Sequence, residues 1–257
     1  MTAMAPTTSP AQAAQAAPRP ARLAERVIGV LGGMGPLATA DFMREIILAT
    51  PAEGDSGHIP LVVVSCPQIP DRVAPILKGT GESPLPAMRE RLGLLLGAGA
   101  RCIAMPCNTA HFWYEDLARD CPVPFLSIVD ATMAELAARL AAPATVGLIG
   151  TAATLHAGIF QRRLAAEGYA PLLPEDQAME TAILPGIALV KKNRLAEAST
   201  LLRDAIQDLM AAGAGVVVLA CTEVPAALRD DRAWLAGRCL DSTAALARAC
   251  VAWALTG

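Results

Sequence analysis

Two cysteines stand at equivalent points of a repeated pattern, and their side chains could move a proton. Residues 99–107 read GARCIAMPC and residues 213–221 read GAGVVVLAC, so Cys107 and Cys221 each end a short β-like run that a Gly-Ala pair begins. Inverting a stereocentre requires a base on one face of the carbon and an acid on the other, and a thiolate with a thiol suits both tasks. If the two runs belong to facing copies of one fold, the spacing predicts two-base proton transfer at a single carbon.

Polar residues follow both cysteines at matching positions. Thr109 lies two residues beyond Cys107, and Glu223 lies two residues beyond Cys221. Each cysteine precedes a predicted helix, whose positive end favours a thiolate. Thr109 is suited to cap its helix and Glu223 to be a first-turn carboxylate, and both roles are compatible with polarising a thiol. We expect Thr109 and Glu223 to tune the thiols, whereas a single buried cysteine would be typical of an ordinary core.

The elements that must position these residues also occur twice. VIGVL near the beginning of the chain and TVGLI in its middle are apolar runs that are followed by glycine and then by a helical pattern. When Gly29 is aligned with Gly147, Phe42 falls on Phe160, and both pairs are 118 residues apart. Strand-like and helical patterns alternate through the chain, which is typical of a parallel sheet covered on both faces. Open sheets of this kind bind ligands at the carboxyl ends of their strands, where both cysteines are expected.

The sequence therefore predicts an α/β fold of two pseudo-symmetric, flavodoxin-like lobes, each with a doubly wound parallel sheet, and an active site between them. Residues 26–123 together with 225–257 are predicted to form the first lobe, which carries Cys107, and residues 124–224 the second lobe, which carries Cys221. Strands are predicted at 27–31, 60–65, 101–105, 124–128, 145–149, 170–173 and 216–220.

Composition argues against several classes of protein. Hydrophobic residues make up 54% of the 257 residues and charged residues 18%, and the formal net charge is −3, so no nucleic-acid partner is expected. The longest apolar runs, such as 216–221, are too short to span a bilayer. Seven cysteines without a CxxC pair or a zinc-like spacing favour a reduced, cytoplasmic protein without a metal site. Residues 1–25 are rich in Ala and Pro and are predicted to be a disordered tail.

Four segments together resemble the aspartate racemase branch of the aspartate/glutamate racemase superfamily. They are IGVLGGMGP at 28–36, PQIPDR at 67–72, MPCNTAH at 105–111 and CTE at 221–223. The likeness runs from about residue 26 to 250, and the combination is specific although each segment alone is short. The resemblance implies a cofactor-independent amino-acid racemase, free of pyridoxal phosphate, that acts on a small-molecule amino acid and assembles as a homodimer.

The resemblance also implies roles for individual residues, beginning with Cys107 and Cys221 as the catalytic pair. The implied substrate-binding residues are Met34 and Gly35 in a loop near the substrate, Asn108, Thr109 and Thr222 at its backbone end, Thr151 from the second lobe, and Arg72 and Lys191 at its distal carboxylate. Arg72 also follows an Ile-Pro-Asp turn, and a guanidinium matches a carboxylate bidentately. Pairing with Asp71 is the ordinary alternative for that arginine.

Departures from the family pattern leave the preferred substrate open among aspartate, glutamate and a broader range. Ser65 and Cys66 stand where the family often has asparagine. His111, four residues after Cys107, would suit a Cys-His hydrolase, although support of the loop is the favoured interpretation. The GGMG loop lacks the GxGxxG pattern of dinucleotide sites and is better suited to offer backbone N–H groups to a carboxylate.

Three further functions are compatible with the same superfamily pattern. A related enzyme could decarboxylate its substrate with one cysteine, or isomerise a diacid between its cis and trans forms. A degenerate member could bind an amino acid without turning it over. The paired cysteines favour racemisation over the one-cysteine reaction, and intact Cys107, Cys221 and Arg72 argue against a silent binder.

Overall fold

The structure is a computed structural model that describes residues 23–256. Its strands are β1 (Ile28–Gly32), β2 (Leu61–Ser65), β3 (Cys102–Ala104), β4 (Phe125–Leu126), β5 (Thr145–Gly150), β6 (Ala170–Leu172), β7 (Val216–Ala220) and β8 (Cys239–Asp241). Its helices are α1 (Pro36–Ala49), α2 (Val73–Lys78), α3 (Leu85–Gly97), α4 (Tyr114–Ala118), α5 (Ile128–Arg139), α6 (Ala152–Ala157), α7 (Ile159–Ala166), α8 (Asp176–Ala178), α9 (Leu184–Lys191), α10 (Leu195–Ala211), α11 (Glu223–Ala227), α12 (Arg232–Leu235) and α13 (Ser242–Thr256). Short 3-10 turns occupy Asp55–Gly57, Thr109–Trp113 and Arg229–Asp231, and a π-helical segment, Met179–Ile183, joins α8 to α9.

Within residues 23–256 the strands form two four-stranded parallel sheets with the same topology. The order is β2-β1-β3-β4 in the first sheet and β6-β5-β7-β8 in the second. The registers also correspond, because Gly29 lies opposite Ile103 and Gly147 lies opposite Val217. The two-lobed α/β fold predicted from the sequence is confirmed.

The repeated glycines explain why an alanine precedes the third strand of each lobe. A Cβ atom added to Gly29 would lie 2.8 Å from the Cβ of Ala100, and one added to Gly147 would lie 3.2 Å from the Cβ of Ala214. Any side chain on either glycine would push against these alanines, which approach the sheet at the same place in both lobes. The duplicated sequence pattern is thus a duplicated packing contact.

Apolar side chains cover both faces of each sheet. Leu95 and Met105 belong to the core on one face of the first sheet, and Phe42 belongs to the core on its other face. In the second sheet, Leu202 lies in one core and Phe160 in the other. A parallel sheet buried on both faces needs such continuous apolar strands, and β1 and β7 are buried along their whole length.

The lobe boundaries differ from those predicted at residues 123/124 and 224/225. Phe125 and Leu126 pair with β3 and therefore belong to the first sheet, while β8 pairs with β7 and belongs to the second. Of the segment 225–257, which was predicted to belong to the first lobe, only the last helix, α13, lies with that lobe. It packs on α1, and it also packs on α5. Strands of two or three residues carry too little periodicity to be assigned to a sheet from sequence.

The predicted tail at 1–25 lies outside the described residues except for 23–25, where Leu23 is buried against the first lobe. Between residues 23 and 256, no helix has the length and apolar character needed to cross a bilayer.

Candidate functional site

Both thiols line one small cavity between the two lobes. Cys107 comes shortly after β3, which ends at Ala104, and Cys221 comes immediately after β7. Each therefore lies beyond the carboxyl end of the third strand of its own sheet. Both side chains are buried, with 4% and 3% of their surface exposed. The cavity is lined by Met34, Asp71, Arg72, Val73, Cys107, Asn108, Thr109, Thr151, Lys191, Cys221, Thr222 and Glu223.

The cavity is too small for an amino acid as it stands. Its volume is about 30 Å³, which is room for about two water molecules. A substrate therefore requires the walls to separate or the cavity to join neighbouring space. Ten of the predicted site residues line it directly, and Gly35 stands beside it, because a Cβ atom on Gly35 would lie 3.3 Å from Oε1 of Glu223.

The Cys221 thiol has a carboxylate partner. It donates a hydrogen bond of 3.1 Å to Oε2 of Glu223, which also accepts one of 3.3 Å from the hydroxyl of Thr222. Burial raises the pKa of Cys221 well above that of an ordinary thiol, and the charge and hydrogen bond of Glu223 raise it further. Lys191 acts in the opposite direction. Cys221 is therefore held in its protonated form.

The Cys107 thiol has a different electrostatic environment. Burial raises its pKa, and Glu223 adds to this effect, whereas the positive charges of Arg72 and Lys191 lower it. Among residues 23–256 no side-chain oxygen accepts a hydrogen bond from this thiol. Lys191 acts on both sulfurs, but Arg72 acts on Cys107, so Cys107 is the easier of the two to ionise.

The loop that carries Cys107 is fixed by His111. Nδ1 of His111 lies 2.8 Å from the carbonyl oxygen of Cys107, and Nε2 accepts a hydrogen bond of 3.0 Å from the amide of Ile128. Because Nε2 accepts, the neutral ring carries its proton on Nδ1 and donates it to Cys107. Burial lowers the pKa of His111 to about 4, so the ring stays neutral. His111 supports the loop from behind and is not in the cavity lining.

Arg72 lines the cavity and is held by backbone carbonyl groups. Its guanidinium donates to the carbonyl oxygens of Ile69 and Pro70, 3.3 and 3.1 Å away. The neighbouring Asp71 instead accepts hydrogen bonds from two backbone amides at the first turn of α2. In the described part of the chain no salt bridge to Arg72 is formed, so its charge is available to an anionic ligand.

Three threonine hydroxyls join the lobes at the side of the cavity. Thr109 of the first lobe lies 3.1 Å from Thr151 and 2.8 Å from Thr154, both of the second lobe, and these two hydroxyls are 2.9 Å apart. Thr151 also caps α6, because its hydroxyl accepts from the amide of Thr154. The triangle fixes the position of the two predicted residues, Thr109 and Thr151, relative to each other.

The amide of Asn108 is held by the first residue of α13. Its Nδ2 donates 3.1 Å to the hydroxyl of Ser242, which in turn donates 2.7 Å to the carbonyl of Leu219. Its Oδ1 is buried and has no hydrogen-bond partner within residues 23–256. A buried carbonyl oxygen without a donor is costly, and an ammonium or hydroxyl of a ligand would satisfy it.

The glycine loop after β1 is shaped by a close approach to the chain after β2. Gly33 has φ +92°, and a Cβ atom there would lie 2.2 Å from the amide nitrogen of Cys66, so only glycine fits. Thr39 secures the loop by accepting from the amide of Gly33 and donating to the carbonyl of Gly35. These contacts bring Met34 and Gly35 to the cavity.

Sequence reasoning missed four residues that shape the site. Val73 and Asp71 line the cavity, Thr154 completes the hydroxyl triangle, and Ser242 orients Asn108. Ser242 is 134 residues from Asn108, and no local signal in the sequence points to that contact. In the described part of the chain, no group of three His, Cys, Asp or Glu side chains is arranged to hold a metal ion.

Comparison with protein families gives one match that covers most of the chain. The family described as Asp/Glu/Hydantoin racemase matches residues 31–250. The matched region includes both cysteines and every other residue of the cavity lining. The resemblance identified from the four sequence segments is confirmed.

Individual relatives have related descriptions. The broad specificity amino-acid racemase RacX of Bacillus subtilis is 28% identical over 236 residues, which cover 88% of this chain and 96% of RacX. The solved structure of Picrophilus torridus aspartate racemase has a TM-score of 0.79 at 29% identity, over 89% of this chain and 94% of that one. A glutamate racemase from Thermus thermophilus, in complex with beta-chloro-D-alanine, has a TM-score of 0.55 at 25% identity, over 90% and 81% of the two chains.

Proposed function

Because the chain belongs to the Asp/Glu/hydantoin racemase family, we propose that it is a cofactor-independent racemase of an acidic amino acid, with aspartate as the leading substrate. Cys107 and Cys221 exchange the Cα proton between them. The observation that carries the proposal is that both buried thiols line one cavity, each from the carboxyl end of its own sheet. Glutamate and a broader range of amino acids are the alternative substrates.

The environments of the two thiols assign them starting roles. Cys107, near Arg72 and Lys191, is the thiolate that removes the Cα proton, and its S–H bond forms as the C–H bond breaks. The electron pair left on Cα is delocalised into the substrate carboxylate. Cys221, whose thiol donates to Glu223, then delivers its proton to the opposite face of Cα. The product is the enantiomer, with the two sulfurs in exchanged protonation states, and the reverse reaction restores them.

The remaining lining residues would hold the substrate. The carbonyl oxygen of Asn108, to which no group within residues 23–256 donates, is suited to the substrate ammonium group. Thr109, Thr151 and Thr222 offer hydroxyls, and Met34 and Gly35 close the loop side of the cavity. Arg72, with no salt-bridge partner among residues 23–256, is suited to bind the distal carboxylate together with Lys191.

Hydrogen exchange in heavy water tests the assignment of the thiols. Wild-type protein is expected to racemise aspartate and to place deuterium at Cα of the product. Cys107→Ala and Cys221→Ala should each lose net racemisation by at least about 10³-fold, since each removes the acid or base of one face. Cys121→Ala is the matched control, because Cys121 is a partly buried free thiol that does not line the cavity. Near-normal activity in both catalytic variants would exclude the mechanism.

We also propose that the protein is cytoplasmic and forms a homodimer. All seven cysteines of the chain are free thiols in the structure, which suits the reducing cytoplasm. The family resemblance favours a homodimer, and sedimentation analysis would measure its mass.

A further inference from the structure

A second pocket adjoins the cavity of the two thiols. Its volume is about 480 Å³, and it shares Lys191 and Glu223 with the smaller cavity, beside which its lining residue Gly35 stands. It lies between the first turn of α1 and the chain at the end of α9, where Lys192 and Asn193 complete its wall. Since the thiol cavity has room for about two water molecules, this pocket is the neighbouring space into which a bound amino acid can extend.

Gly35 lines the larger pocket next to Glu223, which lines both spaces. Glycine has no side chain, and a Cβ atom at this position would lie 3.3 Å from Oε1 of Glu223. Lys191 lines both spaces, and its long side chain is exposed. A substrate side chain that passes between Gly35 and Lys191 would therefore enter the larger pocket.

The charges around the larger pocket favour an anion. Lys191 and Lys192 are both exposed, and neither forms a salt bridge with any residue in the range 23–256. Glu223 is the acidic residue of the lining, and its Oε2 accepts from Cys221 and Thr222, so two lysines stand against one carboxylate. The first turn of the 14-residue helix α1 also opens here and has no side-chain cap, which adds positive potential.

We propose that this pocket receives the distal carboxylate of acidic amino acids longer than aspartate, with Lys192 as the residue that selects for them. The inference rests on the proposed racemase function and deepens it by naming the substrate class. Aspartate would place its short side chain at Arg72 and Lys191, inside the smaller cavity. Glutamate and 2-aminoadipate would reach past Lys191 to Lys192.

A homologous series of substrates tests this assignment. Enantiopure aspartate, glutamate and 2-aminoadipate are each followed by chiral chromatography with wild type, Lys192→Glu and Lys78→Glu. Wild type should use all three with kcat/KM values within about tenfold of one another. Lys192→Glu should lower kcat/KM for 2-aminoadipate by about tenfold, mainly through KM, and change aspartate by less than about twofold. Lys78 is an exposed lysine at the end of α2 that lines neither space, so Lys78→Glu should change nothing.

The outcomes separate this inference from the function on which it rests. If aspartate is racemised and 2-aminoadipate is inert, or if Lys192→Glu weakens all three substrates equally, the inference is wrong and the proposed function stands. If the protein racemises neutral amino acids and no acidic ones, the pocket does not receive a carboxylate, although thiol catalysis survives. If no amino acid is racemised and no deuterium enters Cα, both proposals are wrong.

Discussion

The thiol of Cys221 donates a hydrogen bond to the carboxylate of Glu223 over 3.1 Å. Cys107 holds the equivalent place in the other lobe, yet Thr109 stands where Glu223 would be, and its hydroxyl is engaged by Thr151 and Thr154. The two sulfurs are thus equivalent in the fold and different in their electrostatics. In the proposed mechanism this difference assigns the roles, since Cys107 ionises more easily than Cys221.

Replacing Glu223 should shift the pH dependence for one enantiomer. Glu223→Gln keeps the size of the side chain and removes the charge that raises the pKa of Cys221. The pKa of that thiol should fall, so the acidic limb of kcat/KM should move to lower pH by on the order of one unit for the enantiomer whose proton Cys221 removes. For the other enantiomer Cys221 is the acid, so the basic limb of its profile should move to lower pH instead.

Full pH profiles of both enantiomers are the measurement for Glu223→Gln. Glu115→Gln, an exposed glutamate on α4, is the control and should leave both profiles unchanged. A shift to higher pH, or no shift for either enantiomer, would show that Glu223 does not act on the thiol.

His111 is expected to position Cys107 without exchanging protons. His111→Ala removes the hydrogen bonds to Cys107 and Ile128, so kcat should fall by about 10- to 100-fold with little change in KM. Because the pKa of His111 is lowered to about 4, no limb near that of free histidine should occur in the wild-type profile. Tyr114→Phe keeps the ring stacked on His111 and is the control.

The same pH profile distinguishes a racemase from a Cys-His hydrolase. Such an enzyme would use His111 as a base, and its profile would contain a limb near pH 6.5, at about the pKa of free histidine, that vanishes in His111→Ala. Observing that limb would overturn the positioning role.

The fold and the convergence of the site were predictable because they rest on repetition. The strand-end cysteines, Gly29 and Gly147 recur at nearly constant offsets, and a parallel sheet leaves few ways to arrange them. The arrangement of the two lobes was less accessible, since Phe125 and Leu126 join the first sheet through a strand of only two residues. Hydrophobic periodicity has no meaning over so short a segment.

Side-chain partners were the least predictable part of the site. Sequence favours a pair between adjacent Asp71 and Arg72, but the carboxylate of Asp71 caps α2 and leaves Arg72 to the cavity. Thr154 joins the site only because α6 faces Thr109 across the lobes, 45 residues away in the chain. Such contacts follow from how the lobes pack together, which no local pattern encodes.

The hydroxyl triangle should contribute to stability. Thr154→Val keeps the shape of the buried side chain and removes the hydroxyl that bonds to Thr109 and Thr151, which lose a partner. The free energy of unfolding should fall by about 1–2 kcal/mol, because buried polar groups are left unsatisfied. Urea unfolding measures it, and Thr154→Ser should retain most of the stability. Thr200→Val, at an exposed site on α10, should change it by less than about 0.5 kcal/mol.

Asp241 should make stability fall as the pH rises. Burial raises its pKa to about 6 from 3.8, and the charges of Glu45 and Asp41 add to this, against the amides of Thr243 and Ala244 that donate to it. The folded state therefore binds more protons at this site than the unfolded state between about pH 4 and pH 6, so the contribution of Asp241 to stability declines across that range.

Asp241→Asn tests this dependence, since asparagine keeps an oxygen that can accept from the same two amides. Its free energy of unfolding relative to wild type should increase by about 1.5 kcal/mol between about pH 5 and pH 8, at about 1.4 kcal/mol for each unit of pKa difference. Urea titrations at several pH values provide the comparison. Asp204→Asn, an exposed aspartate on α10, should differ from wild type by an amount that does not vary with pH. If Asp241→Asn also differed from wild type by an amount that does not vary with pH, Asp241 would have the same pKa in the folded and unfolded states.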